Sequence, residues 1–333
     1  KNTKIRSKNK MTNITITGGS GFIGTNLVSY LLEKGYTVQN LDKNPPKNKK
    51  LLGCWESVDI LDNKTLSSKI SEFQPEILIH LAAVTDLDGS TPEYYAANTD
   101  GTANIIEICN TLGSLKKVIF TSSMYVCRPG YIPKNYDDYQ PHTAYGKSKK
   151  DGELLVKAIK DVDYKWVIIR PTSIWGPWFG IPYIDFFEIV YKGRYVDFGR
   201  ACTKTYGFID NAVYQIHKLM EVENIDGQTF YIGDKPPIQI SEWGNEISIE
   251  MGKGPIKTVP FVVLKIASVI GDILIKCGFK FPMSSFRLKN MTTNNILPLE
   301  NLYEVVGEPP ISRISGVKRT LTWLKQEKGY SYS

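Results

Sequence analysis

The sequence predicts an α/β protein built on a doubly wound parallel sheet, with a smaller lobe in its second half. Three observations predict it. A β-branched run breaks into a glycine turn and then a helical pattern at residues 14–32. Strand and helix patterns alternate through the first half. From Gly176 the rhythm changes to dense Pro, Gly and aromatic residues.

The first element is the most specific. Ile14-Thr15-Ile16-Thr17 reads as a short buried strand, and glycines at 18, 19, 21 and 24 make the turn behind it. Gly18 and Gly19 permit backbone angles closed to other residues. Gly21 lets a pyrophosphate approach the backbone, and Gly24 lets helix and strand pack closely. Phe22, Ile23, Leu27, Val28, Leu31 and Leu32 keep helical spacing, with Gly35 placed as a C-cap. Strand, turn and helix form a dinucleotide-binding fingerprint, in which the phosphates meet backbone N–H groups and the positive end of a helix dipole. The next strand, 37–41, ends in Asp42, 18 residues after Gly24. An acid there suits the two hydroxyls of an adenosine ribose and repels a 2′-phosphate, so NAD is expected over NADP, softened by Lys43.

Residues 57–60 read as a brief third strand. Asp59 within it either accepts a hydrogen bond from an adenine amino group or closes a turn; the pattern leaves both open. A helix over 66–73 stops before Pro75, and 77–83 is a continuous apolar strand deep in a parallel sheet. A long helix follows over 92–112, then a fifth strand at 117–121 and a sixth at 166–170. The dinucleotide-binding Rossmann domain is expected over 11–175 and a mainly substrate-binding lobe over 176–333, with about 208–232 returning to the sheet.

Composition bounds the rest. The net charge is +7, and Lys1, Lys4, Arg6, Lys8 and Lys10 contribute five of those charges. Residues 1–10 are polar and unpatterned, which reads as a disordered or appended tail with Met11 as the native start. Without aromatics this tail is a solvated end, and no nucleic-acid partner is expected. Five cysteines show no C-x-x-C pair, which argues for reduced thiols and a cytoplasmic setting. Three scattered histidines suggest no metal site. The longest apolar run, 261–275, contains Lys265 and Asp272 and is too short to span a bilayer; it reads as a buried or peripheral amphipathic helix.

Chemistry is carried by Tyr145-Gly146-Lys147-Ser148-Lys149, opening a helix that runs to about Lys160. Tyr145 and Lys149 share one helical face, about 6 Å apart along the axis. A free tyrosine titrates near ~10 and is a poor base at neutral pH. An ammonium beside it favours the phenolate, and a lowering of ~3 units takes roughly 4 kcal/mol of differential stabilisation. Tyr145 then suits a general base toward an alcohol. Thr121-Ser122-Ser123 ends the fifth strand, where ligand sites of doubly wound sheets lie, and Ser123 is placed to hold the substrate oxygen against Tyr145.

Several motifs stand in one order: Thr17-Gly18-x-x-Gly21-Phe22-x-Gly24, His80-Leu81-Ala82-Ala83, Tyr95-x-x-Asn98-x-x-Gly101-Thr102-x-Asn104, Ser122-Ser123 and Tyr145-x-x-x-Lys149. Arg170-Pro171, Gly176-Pro177 and Phe208-Ile209-Asp210 follow. On these motifs the chain resembles the extended short-chain dehydrogenase/reductases, the NAD-dependent epimerase/dehydratase family, strongly over about 13–215. The resemblance implies Ser123, Tyr145 and Lys149 as the catalytic residues, with Lys149 also holding the nicotinamide ribose. Asn98 would brace the site, and Leu81, Ala82 and Ala83 would line the cofactor groove. With Gly18, Gly21, Phe22, Ile23, Gly24, Asp42, Asp59, Ile60, Thr121, Tyr145, Lys149 and Pro171 they make up the expected NAD-binding set. Substrate is expected between the lobes near Thr85, Asp86, Ser123, Ser173 and Lys204, and two copies would pair through a four-helix bundle.

Three departures refine the expectation. Sugar epimerases of the family commonly place Asn where Ser173 stands and Arg where Lys204 stands. The tail, with the apolar stretch Phe261 to Phe281, then Phe286-Arg287 and Gly316-Val317-x-x-Thr320-x-x-Trp323, is similar to relatives that include sterol and hydroxysteroid dehydrogenases. Ser123 is followed by Met124 and Tyr125, where dehydratases of the family carry an acidic pair, so no elimination of water is expected. The leading expectation is an epimerase or 4-keto reductase of a nucleotide-activated sugar. A dehydrogenase of a hydrophobic alcohol is the alternative, and a non-catalytic dinucleotide-binding protein the third.

Overall fold

Thr15 and Thr17 alternate with Ile14 and Ile16, and all four side chains are buried because strand β1 (Asn13–Thr17) lies in the middle of a sheet. The computed structural model describes residues 12–197, 199–279 and 284–331, side chains at 286, 287 and 290 excepted. The expected tail and native start lie outside these residues, as does the end of the apolar stretch beyond 279. Two compact units emerge: residues 1–122, 143–169 and 220–229 in the first, and 123–142, 170–219 and 230–333 in the second.

In the first unit, β1 is followed by α1 (Phe22–Glu33), β2 (Thr37–Leu41), β3 (Trp55–Glu56), α2 (Asn63–Phe73), β4 (Ile77–His80), α3 (Ala96–Cys109), β5 (Lys117–Thr121), α4 (Ala144–Lys157) and β6 (Lys165–Pro171). With β10 (Thr229–Ile232) the sheet has seven strands in the order β10-β6-β5-β4-β1-β2-β3. The predicted doubly wound parallel sheet is therefore present, and its order reverses between β1 and β4. Within the stretch 208–232, only Thr229–Ile232 joins this sheet, at its edge. One face is covered by Leu66, Ile70, Ile105, Ile108 and Val156 packed on Leu78, Val118, Phe120 and Ile168. The polar alternates of β1 are satisfied within the sheet: Thr15 Oγ1 donates to Gln39 Oε1 (2.8 Å), and Gln39 Nε2 donates to Glu56 Oε1 (2.9 Å).

Several boundaries differ from expectation. The fourth strand, expected over 77–83, ends at His80, and α2 begins at Asn63 rather than at 66. The third strand is Trp55–Glu56 rather than 57–60, because Asn40 and Leu41 are the last β2 residues with a partner and they pair Trp55 and Glu56. Beyond them Val58 and Ile60 are still buried, but in a turn. The long helix expected over 92–112 begins as a 3-10 turn at Glu93–Tyr95, and α3 ends at Cys109. The helix bearing Tyr145 ends at Lys157, three residues short of the expectation.

The second unit contains β7 (Ser173–Trp175), α5 (Tyr183–Tyr191), β8 (Thr203–Lys204) and β9 (Tyr206–Phe208). Helix α6 (Ile209–Glu221), most of β10, β11 (Ile238–Gln239) and α7 (Ile240–Glu250) follow. Helices α8 (Phe261–Lys276), α9 (Ser285–Thr292), α10 (Glu300–Val306) and α11 (Arg313–Lys328) complete it. Its core is aromatic. Trp175 lies 5.0 Å from Phe208 and 5.0 Å from Trp243 between ring centroids, and Phe187 stands 5.5 Å from Trp243. Helix α11 approaches this cluster through Gly316, where a Cβ would come within 2.9 Å of the Phe208 ring and 3.0 Å of Trp175. A Gly316→Ala variant should lose about 1–3 kcal/mol of stability through overpacking, read as a lower urea midpoint with an unchanged slope.

Candidate active site

The glycine turn sits at the carboxyl ends of β1 and β4, at the strand-order reversal. Gly18 has φ +75°, and a Cβ there would stand 2.5 Å from the Ala82 nitrogen. Gly19 needs no positive φ; it is small because the Asn40 amide occupies the space a side chain would fill. At Gly24 a Cβ would meet the Gly18 carbonyl and lie 2.5 Å from Gly19 Cα, so the first turn of α1 rests on the glycine loop itself. Phe22 and Ile23 open α1, whose N-cap, Gly21, supplies no side-chain acceptor to its first N–H groups.

Asp42 follows β2 and is partly buried. Its Oδ2 accepts from Ser20 N (3.1 Å) and its Oδ1 from Asn44 N (2.9 Å), which ties it to the glycine turn. Burial raises its pKa, against those two backbone donors. A carboxylate has lone pairs for further donors, so it remains able to receive ribose hydroxyls. Asp59 is exposed, and its Oδ1 accepts from Leu61 N (2.9 Å) in a turn. Ile60 beside it packs where a Cβ on Gly101 would lie 2.9 Å from its Cγ2.

Around Lys149 the first unit is dense with polar contacts. The Asn98 side chain, buried on α3, accepts from Val84 N (2.8 Å) and donates to Val84 O and Ser148 Oγ (both 2.9 Å). One amide thus ties the segment after Leu81, Ala82 and Ala83 to the residue beside Lys149. Ser148 Oγ donates in turn to the Tyr145 carbonyl (2.7 Å). Lys149 Nζ donates to the Thr121 carbonyl (2.7 Å) at the end of β5. Burial pushes the Lys149 pKa down to about 8, and the negative charge of Glu153 opposes the fall. Tyr145 is buried on the same helix, its ring 6.0 Å from Tyr95.

A cavity of about 10 Å³ lies against these groups, lined by Lys149, Glu153, His80, Asn98, Thr121 and Ser122, among others. His80 is buried and bonded at both ring nitrogens, Nδ1 to Thr17 Oγ1 (2.8 Å) and Nε2 to Thr102 Oγ1 (3.2 Å). Thr102 donates its one hydroxyl proton to the Asn98 carbonyl (3.0 Å), so His80 Nε2 carries the hydrogen and Nδ1 accepts from Thr17. Burial, then the Lys149 charge, lowers the His80 pKa to about 3, so the ring is neutral. Sequence reasoning missed Glu153 and the Thr17–His80–Thr102 chain. Glu153 was legible as the next i+4 step after Tyr145 and Lys149, whereas the His80 contacts join three distant segments.

Other expected residues are placed as follows. Thr85 and Asp86 are exposed in the first unit, and Asp86 Oδ1 accepts from the Tyr94 hydroxyl (2.9 Å). In the second unit, Ser123 is buried, and its Oγ accepts from Tyr125 N (3.2 Å), leaving its proton to donate. Pro171 closes β6, Ser173 opens β7 and hydrogen-bonds Tyr183, and Lys204 ends β8 with its pKa lowered by burial.

The model of the NAD dependent epimerase/dehydratase family matches residues 14–185. This chain belongs to that family. It is 30% identical over 254 residues to the UDP-glucose 4-epimerase of Vibrio cholerae, covering 72% of this chain and 76% of that one. It is 28% identical over 256 residues to a 3β-hydroxysteroid dehydrogenase/Δ5→4-isomerase of Mycobacterium tuberculosis, covering 70% and 68%. It is 25% identical over 320 residues, 93% of this chain and 95% of the other, to an N-acetyl-α-D-glucosaminyl-diphospho-undecaprenol 4-epimerase of Escherichia coli O157:H7. Among solved structures, the UDP-glucuronic acid 4-epimerase of Bacillus cereus in complex with NAD shares the fold, with a TM-score of 0.74 and 20% identity over 96% of this chain and 99% of that one.

The chain is an enzyme of the extended short-chain dehydrogenase/reductase kind, and its cofactor is NAD. The residues present fit that cofactor. A side chain on Gly21 would stand 3.3 Å from the Gly18 carbonyl, over the turn that a pyrophosphate must approach, and Asp42 presents a carboxylate at the end of β2. Asp42→Ala should weaken NAD binding about ten- to a hundred-fold, the cost of hydrogen bonds to a charged acceptor, and should weaken NADP binding less. Titration of both cofactors into both proteins, followed by nicotinamide or tryptophan fluorescence, measures it.

Proposed function

We propose that this protein is an NAD-dependent 4-epimerase, or 4-keto reductase, of a nucleotide-activated sugar. The observation that carries the reading is a hydroxyl-rich cluster within the second unit. Tyr183 hydrogen-bonds Ser173, and Tyr125 and Tyr206 stand beside it. Burial, then Tyr183, Cys202 and Tyr125, push the Tyr206 phenol far up, so it stays a neutral donor and acceptor. Lys204, partly buried, adds a cation for a diphosphate. Polar groups gathered this way reward a polyhydroxylated substrate and penalise a hydrocarbon that leaves them unpaired. The sterol-like alternative calls for an apolar tunnel under α8. That helix buries Ser268 and Gly271 beside half-buried Phe261 and Leu264, so its inner side mixes small and polar residues with apolar ones.

In this reading the Tyr145 phenolate takes the proton of the C4 hydroxyl. Lys149, one helical turn on, is an ammonium below about pH 8 and favours that phenolate. Ser123, in the second unit, keeps a hydroxyl proton for a substrate oxygen. NAD, when bound, supplies the two-electron acceptor and donor at the adjoining carbon. The ketone, presented by its other face, recovers its proton from Tyr145. Asn98 keeps Lys149 in place through Ser148. Met124 and Tyr125 offer no carboxylate for elimination, so chemistry ends at oxidation and reduction. We also propose pairing of two copies through α3 and α4, a reading supported by Leu154 and Leu155, which α4 leaves 48% and 40% exposed. A second reading keeps the 4-epimerase chemistry but carries the sugar on a polyprenyl diphosphate; the near full-length similarity to the undecaprenol-linked epimerase favours it.

Tyr145→Phe should lower turnover by about 10²–10⁴-fold with NAD affinity and melting temperature nearly unchanged, because only the hydroxyl leaves. Near-normal turnover would remove Tyr145 from the role. Proton NMR of UDP-glucose, UDP-galactose and their N-acetyl and uronate relatives, incubated with enzyme and NAD, should reveal the anomeric signal of a C4 epimer. A 4-keto-6-deoxy product would contradict the reading, and inertness toward all of them alongside turnover of a prenyl-diphosphate sugar would select the second one.

A further inference from the structure

Helix α8 is built inside out for a soluble protein. It buries Ser268 and Gly271 against the second unit and turns its branched side chains outward. Val262, Val263, Ile266, Val269, Ile270 and Ile273 are each 47–62% exposed. At ~100° per residue these six share an arc of roughly 120°. They form one unbroken apolar stripe, not scattered exposed residues of the ordinary sort. Phe279, 65% exposed, stands just past the helix end.

Cations predominate beside the stripe. Lys265 and Lys276, both exposed, lie along the same flank, roughly 20–40° beyond its edge. Arg200, exposed, stands farther round the helix, its guanidinium 3.9 Å from the Phe261 ring centroid. The acid of α8, Asp272, lies on the same flank one turn before Lys276 and accepts from Ser285 N (3.0 Å); that bond, and to a smaller degree the Lys276 charge, lower its pKa. At 16 residues the helix is about 24 Å long, short of a hydrocarbon core of ~30 Å. No helix among the described residues is long and apolar enough to cross a membrane.

We infer that the outer face of α8 docks in the plane of a lipid bilayer carrying anionic headgroups. The stripe enters the headgroup–acyl boundary, while Lys265 and Lys276 remain at the phosphate level. A stripe flanked by Lys265 and Lys276 fits an anionic interface, whereas a second copy of the same helix would bring cation against cation. The inference goes beyond the catalytic reading and does not depend on how the sugar is carried, since vesicle binding and turnover of soluble UDP-sugars are separate measurements.

The test is co-sedimentation of the full chain with phosphatidylcholine vesicles with and without 30% phosphatidylglycerol (an amount on the order of biological anionic content), at low and high salt. Wild type should partition onto anionic vesicles and be released by salt. Ile266→Asn with Ile273→Asn should cut partitioning at least ten-fold on both vesicle types, with NAD affinity retained. Lys265→Glu with Lys276→Glu should abolish the preference for anionic vesicles while leaving weak binding to neutral ones. Wild type left in the supernatant overturns the inference, as does unaltered sedimentation of both double variants. A concentration-dependent dimer that the isoleucine variant alone dissociates, with no vesicle binding, also overturns it and assigns the face to a second copy.

Discussion

The Asn98 amide is the contact on which the candidate site rests. With three hydrogen bonds to Val84 and Ser148 it links the loop after β4 to the helix that carries Tyr145 and Lys149. Both segments are non-local partners, and neither has a sheet ladder to hold it. Loss of the amide would leave the Val84 N–H and carbonyl without their side-chain partner in a mostly buried place. Lys149 then has only its bond to the Thr121 carbonyl to fix it. The ammonium is disfavoured by burial, and Glu153 supplies the opposing charge inside the same small cavity. Position and charge state of the lysine are thus set by different neighbours.

The two units are built differently. The first is organised around a strand-order reversal and holds the glycine turn, Asp42 and the Asn98 network. The second carries an aromatic core of Trp175, Phe208, Trp243 and Phe187, and the phenol Tyr206 packs on it, 5.3 Å from Trp243 between ring centroids. Ser173 and Lys204 replace residues common in sugar epimerases, yet each still offers a hydrogen-bond donor, and Tyr183 reinforces Ser173. The cation over phenol rings recurs at Arg170, which is fully buried among Tyr136, Tyr139 and Tyr231 and donates to the Tyr136 carbonyl (2.6 Å). That arginine belongs to the packing of the second unit.

Much of the first unit was legible because its signals are local. A glycine at positive φ, an acid at a strand end and a Tyr–Lys pair one helical turn apart are all properties of a few consecutive residues. The errors fell where the deciding partner is distant. Gly19 is small because Asn40 fills its space, not because of its φ. The third strand stops at Glu56 because β2 stops at Leu41, while Val58 and Ile60, apolar as a strand requires, are buried in a turn instead.

By itself, the sequence determined the doubly wound sheet, the glycine turn and the placing of Tyr145 and Lys149 on one helix, because periodicity and spacing act within one element. It also determined that 261–275 is a helix of mixed apolar and charged character. Only tertiary structure decided which side of that helix faces out. The apolar stripe and the Ser268–Gly271 side are both compatible with the sequence, and the fold buries the second. Tertiary structure alone also joined Thr17, His80, Thr102 and Asn98 into one chain of hydrogen bonds, since these groups come from β1, β4 and α3 and meet only once the sheet has formed.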